Sequence, residues 1–329
     1  MQDSTSPRVS IVIRCFNEAA HIGRLLTGIS RQDVTDVEVI VVDSGSTDET
    51  LAIASKFPVQ IVHIKPEDFS FGYALNVGCE ASRGAILLFA SAHVYPVRKD
   101  WLTEMLKPFD DEKTGLVYGR QIGNELSQFS ERQIFAQWFP AISVANQSNY
   151  FCNNANAAIR RSLWKNFRYD ESLTGLEDLE MANRLQDEGQ RIAYQAEATV
   201  VHVHQESLAK TYNRYRREAI ALSRILPDQR FNLFDFVRLY VGNVASDVYH
   251  AYQQAILREE FCSIILFRLM QFWGTYRGSN SREQITAELR QRFYYPNTFQ
   301  RRDGATEAAS DPAYIDYTRE NPRSDDQQT

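Results

Sequence analysis

VSIVIRCF, residues 9–16, and VEVIVVD, residues 37–43, decide the class of fold. Each is a nearly continuous apolar run, which a strand covered on both faces needs and a strand with one wet face does not. VQIVHI, ending at Ile64, and AILLFAS, ending at Ser91, repeat the pattern. Between the runs the spacing changes. In EAAHIGRLLTGIS the apolar residues Ile22, Leu25, Leu26 and Ile29 fall on one helical face. Short strands alternating with helices predict an α/β fold, a mostly parallel sheet flanked by helices and built from right-handed βαβ units. Ligands of such sheets sit at the carboxyl ends of the strands, so the loops after these runs are where chemistry is expected.

Beyond Gly115 the alternation loosens. GLVYGRQI and NAAIRR read as further strands, LEDLEMANRLQDEG as a helix ending at Gly189, and RIAYQ and ATVVHVH as two short strands. From Ser207 to about Phe293 the chain reads as helices, among them TYNRYRREAIALSRI and EFCSIILFRLMQFWGTYRG. From about Arg301 it is rich in Asp, Ser, Pro and Gln, the composition of a loose tail. The organisation expected is therefore an α/β domain over residues 1–206, a helical C-terminal region over 207–300 and a disordered tail over 301–329. There is no internal repeat.

Composition excludes several functions. The 36 basic and 42 acidic side chains leave a net charge of −6, which argues against nucleic acid as a partner, because a polyanion needs clustered positive charge. Cys15, Cys79, Cys152 and Cys262 lie far apart with no CxxC pair, so neither a zinc knuckle nor a disulfide framework is expected. Reduced thiols predict a cytoplasmic protein, free or at the inner face of the membrane, and no run of apolar residues is long enough to span a bilayer. No GxGxxG follows the first strand, and the GxxxxGK[ST], HExxH and GxSxG motifs are missing too.

The candidates that are left sit in the expected loops. Asp43 opens DSGSTDET, where it either caps an Asx-turn and the next helix or accepts a hydrogen bond from a nucleotide base. FSFGYALNVGCEASRG places Asn76 among close-packing glycines, and the fourth strand ends in Ser91-Ala92-His93, with Pro96 expected to stop further pairing. His93 there is either a hydrogen-bonded structural residue or an acid–base or metal ligand. Asn153, Asn154 and Asn156 precede a strand, as a turn or as amides that read sugar hydroxyls. Glu177 and Asp178 start a helix, either as favourable charge at its N-terminus or as a general base at the mouth of a cleft. His202 and His204 alternate along one strand and so face one side, as a metal pair would.

Taken in order, SIVIRCFNEAAHI, VIVVDSGSTDET, FGYALNVGCEASRGAILLFASAHVYP, NAAIRRSLW, TGLEDLEMANRL and VVHVH resemble an inverting glycosyltransferase of family 2, with the GT-A fold, over about residues 7–206. VDSGSTD and the paired histidines look most like its rhamnosyltransferase-like branch. The resemblance implies a hexosyltransferase that moves a sugar from a nucleotide-diphosphate donor to an acceptor hydroxyl, with a glycan, a lipid-linked glycan or a small molecule as acceptor. It assigns Asp178 as the base with Glu177 beside it, and Arg14, Asn17, Glu18, Asp43, Asn76, Ser91 and His93 to the donor. Asn154 and Asn156 go to the acceptor or sugar. Where the family carries Asp-x-Asp, this chain has Ser91-Ala92-His93, so any divalent ion, Mn²⁺ or Mg²⁺, would rest on His93 with His202 or His204. That departure leaves open a non-catalytic nucleotide-sugar-binding or scaffold protein, and the fold also hosts retaining transferases. The helical region is expected to shape the acceptor site, hold a homodimer or rest on a membrane surface.

Overall fold

The four apolar runs of the first half become four parallel strands. The computed structural model describes residues 7–228, 231–281 and 314–317. Its elements open with β1 (Val9–Cys15), α1 (Ile22–Ser30), β2 (Val37–Asp43), α2 (Thr50–Ala54), β3 (Gln60–His63), α3 (Phe71–Ala81) and β4 (Ile86–Ser91). There follow β5 (Val94–Pro96), α4 (Trp101–Leu106), β6 (Thr114–Ile122), α5 (Phe129–Trp138), β7 (Asn156–Arg160) and α6 (Arg161–Phe167). The chain continues through α7 (Glu177–Asp187), β8 (Arg191–His202), α8 (Leu208–Ile225), α9 (Leu233–Gln253) and α10 (Leu257–Ser279).

The eight strands form one sheet in the order β3-β2-β1-β4-β7-β6-β8-β5. β1 lies between β2 and β4, and β2 takes β3 on its other side, all parallel. Beyond β4 the sheet is mixed: β7 is antiparallel to both neighbours, β8 is parallel to β6, and β5 closes the far edge antiparallel to β8. Two-residue alternation divides the core between the faces. Ile11 and Ile13 of β1 pack with Leu25 and Leu26 of α1 and with Trp101 of α4, while Val12 points to the other layer with Leu75 of α3, Trp164 of α6 and Met181 of α7. Full burial of each such side chain contributes about 1.5–3 kcal/mol. A Cβ on Gly78 would stand 2.4 Å from Val12 Cγ1, so only glycine lets α3 lie this close to the sheet.

The structure corrects the sequence reading in three places. RIAYQ and ATVVHVH are not two strands but the single 12-residue strand β8, irregular in its pairing with β6 between Gly119 and Gln121. Pro96 does not end pairing. It is the last residue of β5 and pairs with Val200, which a residue without an N–H can do on an edge strand. Within the tail expected to be disordered, residues 314–317 lie against the segment that follows β5, with Tyr314 bridged to Arg98; the rest of 301–329 is outside the described residues.

The helical region packs back on the domain. Arg268 of α10 is buried and makes a two-pronged ion pair with Asp247 of α9, at 2.7 and 2.9 Å, and also donates to Ser130 O of α5. Ile264 and Phe267 of the same helix are buried as well. None of the described helices is long and apolar enough to cross a membrane.

Candidate functional site

At the end of β4 the chain turns through His93 into β5, and the pairing of Val94 with His202 draws His93 beside β8. β8 ends at His202, and His204, two residues beyond it, lies on the same side, with the two ring centroids 4.0 Å apart and His93 5.1 and 5.4 Å from them. One ligand atom from each of the three lies within 4.8 Å of the others. All three rings are anchored through Nδ1 at 2.7 Å, His93 to Glu18 Oε1, His202 to Gln121 Oε1 and His204 to Glu131 Oε1. A ring that donates through Nδ1 keeps its lone pair on Nε2. His202 Nε2 is buried and has no hydrogen-bond partner among the described residues. Three imidazoles held this way, one with an orphaned ring nitrogen, suit a divalent transition-metal ion better than Mg²⁺, which prefers oxygen.

The surroundings set the charges. Burial pushes the His202 imidazole well below its usual range, with His204 and His93 adding to the effect. Burial would also lower His93, but Glu18 outweighs it and raises the ring. Glu131 is pushed up by burial, yet His204 and Arg214 hold it at about 2. Arg214 of α8 links Glu131 to Glu206, with N–O distances of 2.7 and 2.9 Å, so the helical region supports the histidine shell.

Asp178 lies at the start of α7, after Leu176 in a left-handed conformation (φ +57°). Its Oδ2 accepts from Asn154 N at 2.9 Å and its Oδ1 from Leu179 N at 2.8 Å. Burial first and the neighbouring Glu177 second push the carboxyl up to about 7, against these two hydrogen bonds and Arg14. Arg14 of β1 pairs with Glu177 and lies over the Phe71 ring at 4.7 Å, where Arg217 of α8 also stacks at 4.8 Å. Asn154 Nδ2 is buried without a partner among the described residues, a donor free for a ligand next to Asp178.

The other predicted residues divide. Asn17 (φ +54°) and Glu18 lie in the loop after β1, beside the loop after β2: Asn17 N donates to Ser46 Oγ and Asn17 Oδ1 accepts from Thr47 N. Asp43 accepts from Gly45 N and Ser46 N, each at 3.1 Å, as a turn cap does, and its carboxylate also lies 3.4 Å from His63 Nδ1 and accepts from Cys15 Sγ. Ser91 is partly exposed at the end of β4.

Two amides were misplaced. Asn76 is not a donor contact: Nδ2 donates to Tyr169 O and Glu171 Oε1, and Oδ1 accepts from Trp164 Nε1 and Tyr169 N. Asn156 is not a sugar contact either, since it is fully buried, accepts from Trp101 Nε1 and donates to Arg120 O and Ala198 O. Asn76 has all four of its hydrogen bonds inside the protein, and Asn156 spends both amide hydrogens and its oxygen there. Sequence reasoning missed Gln121, Glu131 and Arg214, which carry no local signal. Of the other arginines of α8, Arg217 stacks on Phe71, so two of them serve the domain they pack on.

Residues 10–167 match the family described as "Glycosyl transferase family 2". The O-antigen chain rhamnosyltransferase RfbN of Salmonella typhimurium is 27% identical over 221 residues, 63% of this chain and 70% of that protein. A PGL/p-HBAD biosynthesis glycosyltransferase of Mycobacterium bovis is 36% identical over 120 residues, 35% of this chain and 46% of its own length. Among solved structures, the mannosyltransferase PcManGT of Pyrobaculum calidifontis, in complex with GDP-Man and Mn²⁺, superposes with a TM-score of 0.61 at 18% identity, covering 85% of this chain and 89% of that one. That likeness is one of fold, and it includes the sheet flanked by helices and the helical C-terminal region.

Proposed function

The chain belongs to glycosyltransferase family 2, and on that premise we propose an inverting transfer with Asp178 as general base and the three-histidine cluster at the diphosphate end of the donor. The enzyme moves a sugar from a nucleotide-diphosphate donor in glycan biosynthesis. The observation that carries the proposal is the setting of Asp178, a buried carboxylate at the start of α7 that accepts from Asn154 N and Leu179 N, beside the Arg14–Glu177 pair and the unpartnered Asn154 Nδ2. In the transfer Asp178 takes the proton of the acceptor hydroxyl as that oxygen attacks the anomeric carbon. The glycosidic bond forms while the bond from that carbon to the diphosphate oxygen breaks, and the diphosphate leaves with the electron pair. Arg14 lies where it offsets that negative charge, and Asn154 Nδ2 where it meets an acceptor or sugar oxygen.

His93, His202 and His204 would hold the divalent ion, Mn²⁺ rather than Mg²⁺, with Glu18, Gln121 and Glu131 keeping their rings oriented. Such an ion, when bound, supplies positive charge to the leaving diphosphate. A second reading rests on the 2.7 Å contact between Glu18 and His93: Glu18 holds the ring so that it hydrogen-bonds the diphosphate directly, without metal.

The rhamnosyltransferase relative makes nucleotide-activated rhamnose the first donor to test, beside UDP-, dTDP- and GDP-hexoses, with glycans and lipid-linked glycans as acceptors. The free thiols of Cys15, Cys79, Cys152 and Cys262 support a cytoplasmic enzyme. Phe234, Val237, Val241, Tyr249 and Tyr252 leave α9 an exposed apolar face, which supports a second copy as its partner there. Sedimentation velocity reads that dimer, and salt-reversible binding to anionic vesicles would give the face to a membrane instead. For the reaction, a thermal-shift screen against nucleotide diphosphates names the base, and NMR of the product reads the anomeric configuration. Retention would remove the inverting mechanism, and no turnover with any donor would favour a binding or scaffold role.

A further inference from the structure

The outer edge beside β5 holds a peptide from the far end of the chain. Ile315 N donates to Val97 O at 3.1 Å, Tyr314 bridges Arg98 in antiparallel fashion, and Tyr317 Oη donates to Pro96 O at 2.6 Å. The Arg31 guanidinium of the segment after α1 donates to Asp316 O. Ile315 is 7% exposed, and the Tyr317 ring meets Tyr95 edge-on with centroids 5.1 Å apart. The seat is shaped for this occupant. A Cβ on Gly28 of α1 would lie 2.4 Å from Tyr317 Oη and 2.8 Å from Pro96 Cδ, so the missing side chain leaves room both for the hydroxyl and for the end of β5. β5 is the last strand of the sheet, and its outward backbone groups need a partner or water.

We propose that the edge of β5 is a docking groove for the chain's own C-terminal segment, residues 314–317, and that docking there holds His93 in the histidine cluster. β5 has only three residues, and its one partner strand is β8. His93 immediately precedes it, with His93 O accepting from Val203 N at 3.1 Å. A strand this short, held along one edge, opens readily, and the Tyr317 side chain on Tyr95 and Pro96, with the backbone hydrogen bond to Val97 just beyond the strand, opposes that opening. Residues 282–313 join α10 to the docked segment. Fully extended at about 3.5 Å per residue they could reach a neighbouring molecule, but a tether gives the attached segment an effective concentration in the millimolar range. That advantage selects the chain's own segment over a second copy's. The part of the proposal that concerns His93 rests on the donor-site reading above; the docking does not.

The test uses the full-length protein with Ile315→Asp or Tyr317→Ala, and a labelled peptide of residues 312–319, PAYIDYTR. The peptide should bind either variant saturably and bind the unaltered protein at least tenfold more weakly, because there the groove is filled. Adding Gly28→Ala to either variant should abolish the binding. The His93 imidazole resonances should shift in both variants and return on adding peptide, and the Mn²⁺ dissociation constant should rise about tenfold, as for loss of an outer support of a metal ligand. Equal peptide binding by variant and unaltered protein, or none by the variants, overturns the docking. Docking with unmoved His93 resonances overturns the positioning of His93. Should the unaltered protein take up no Mn²⁺, the metal reading fails while the peptide and the imidazole resonances still decide. A dimer of the unaltered protein that Ile315→Asp converts to monomer assigns the groove to a second copy and overturns docking within one chain.

Discussion

Arg14 Nη1 stands 3.1 Å from Glu177 Oε1, joining the end of β1 to the start of α7 across 163 residues of sequence. The pair places a cation beside two carboxylates. It partly offsets the negative charge that, together with burial, raises the neighbouring Asp178. The basicity of Asp178 therefore depends on a residue from the opposite end of the domain.

Asp178→Asn keeps the size of the side chain and a hydrogen-bond acceptor but cannot take a proton. Turnover should fall about a hundredfold or more while the dissociation constant of the nucleotide diphosphate changes little. Single-turnover kinetics and calorimetry check the two halves, and near-normal turnover would remove Asp178 from the mechanism.

The pH profile has a defined sign. A base works unprotonated, so kcat/KM should climb with pH and level off above the Asp178 midpoint of about 7. Arg14→Gln removes a cation that favours the carboxylate and leaves Glu177 unneutralised, so the midpoint should move up. A midpoint that stays put or falls contradicts this account of Asp178.

Treatment with EDTA should abolish activity, and Mn²⁺ should restore it better than Mg²⁺. Glu131→Gln removes the carboxylate that accepts from His204 and should weaken Mn²⁺ binding about 10- to 100-fold by calorimetry. Full activity in EDTA would leave His93 as a direct phosphate contact.

For Asp43 the contacts separate shape from charge. Asp43→Asn keeps an oxygen for Gly45 N or Ser46 N and should hold nucleotide affinity within a few-fold, whereas Asp43→Ala frees the loop and should lose about tenfold or more. Equilibrium dialysis with a bare nucleotide diphosphate measures both. Equal losses in the two variants would return the carboxylate to reading the base.

Asn76→Leu leaves Trp164 Nε1 and Tyr169 N without an acceptor in the core. It should destabilise the protein by about 2–4 kcal/mol in urea unfolding, with nucleotide affinity unchanged in the folded fraction. A selective loss of nucleotide binding would restore Asn76 to the donor site.

What the sequence determined by itself was local. Apolar runs and helical spacing are set by which faces a segment must bury, so β1 to β4, the first helices, Asp178 at a helix start and the same-side placement of His202 and His204 could be read residue by residue. The tertiary structure alone decided who meets whom. A carboxylate or amide has the same appearance in a sequence whether it serves a ligand or the core, because its hydrogen bonds are filled by whatever folding brings near. Hence Asn76 and Asn156 proved to spend their hydrogen bonds in the interior, while Gln121 and Glu131, silent in the sequence, anchor two histidines. β5 is too short for any periodicity to reveal, and it exists because β8 pairs along its side, while residues 314–317 lie against the segment that follows it. His93 joins His202 and His204 for the same reason: a pairing between distant segments, which no local pattern contains.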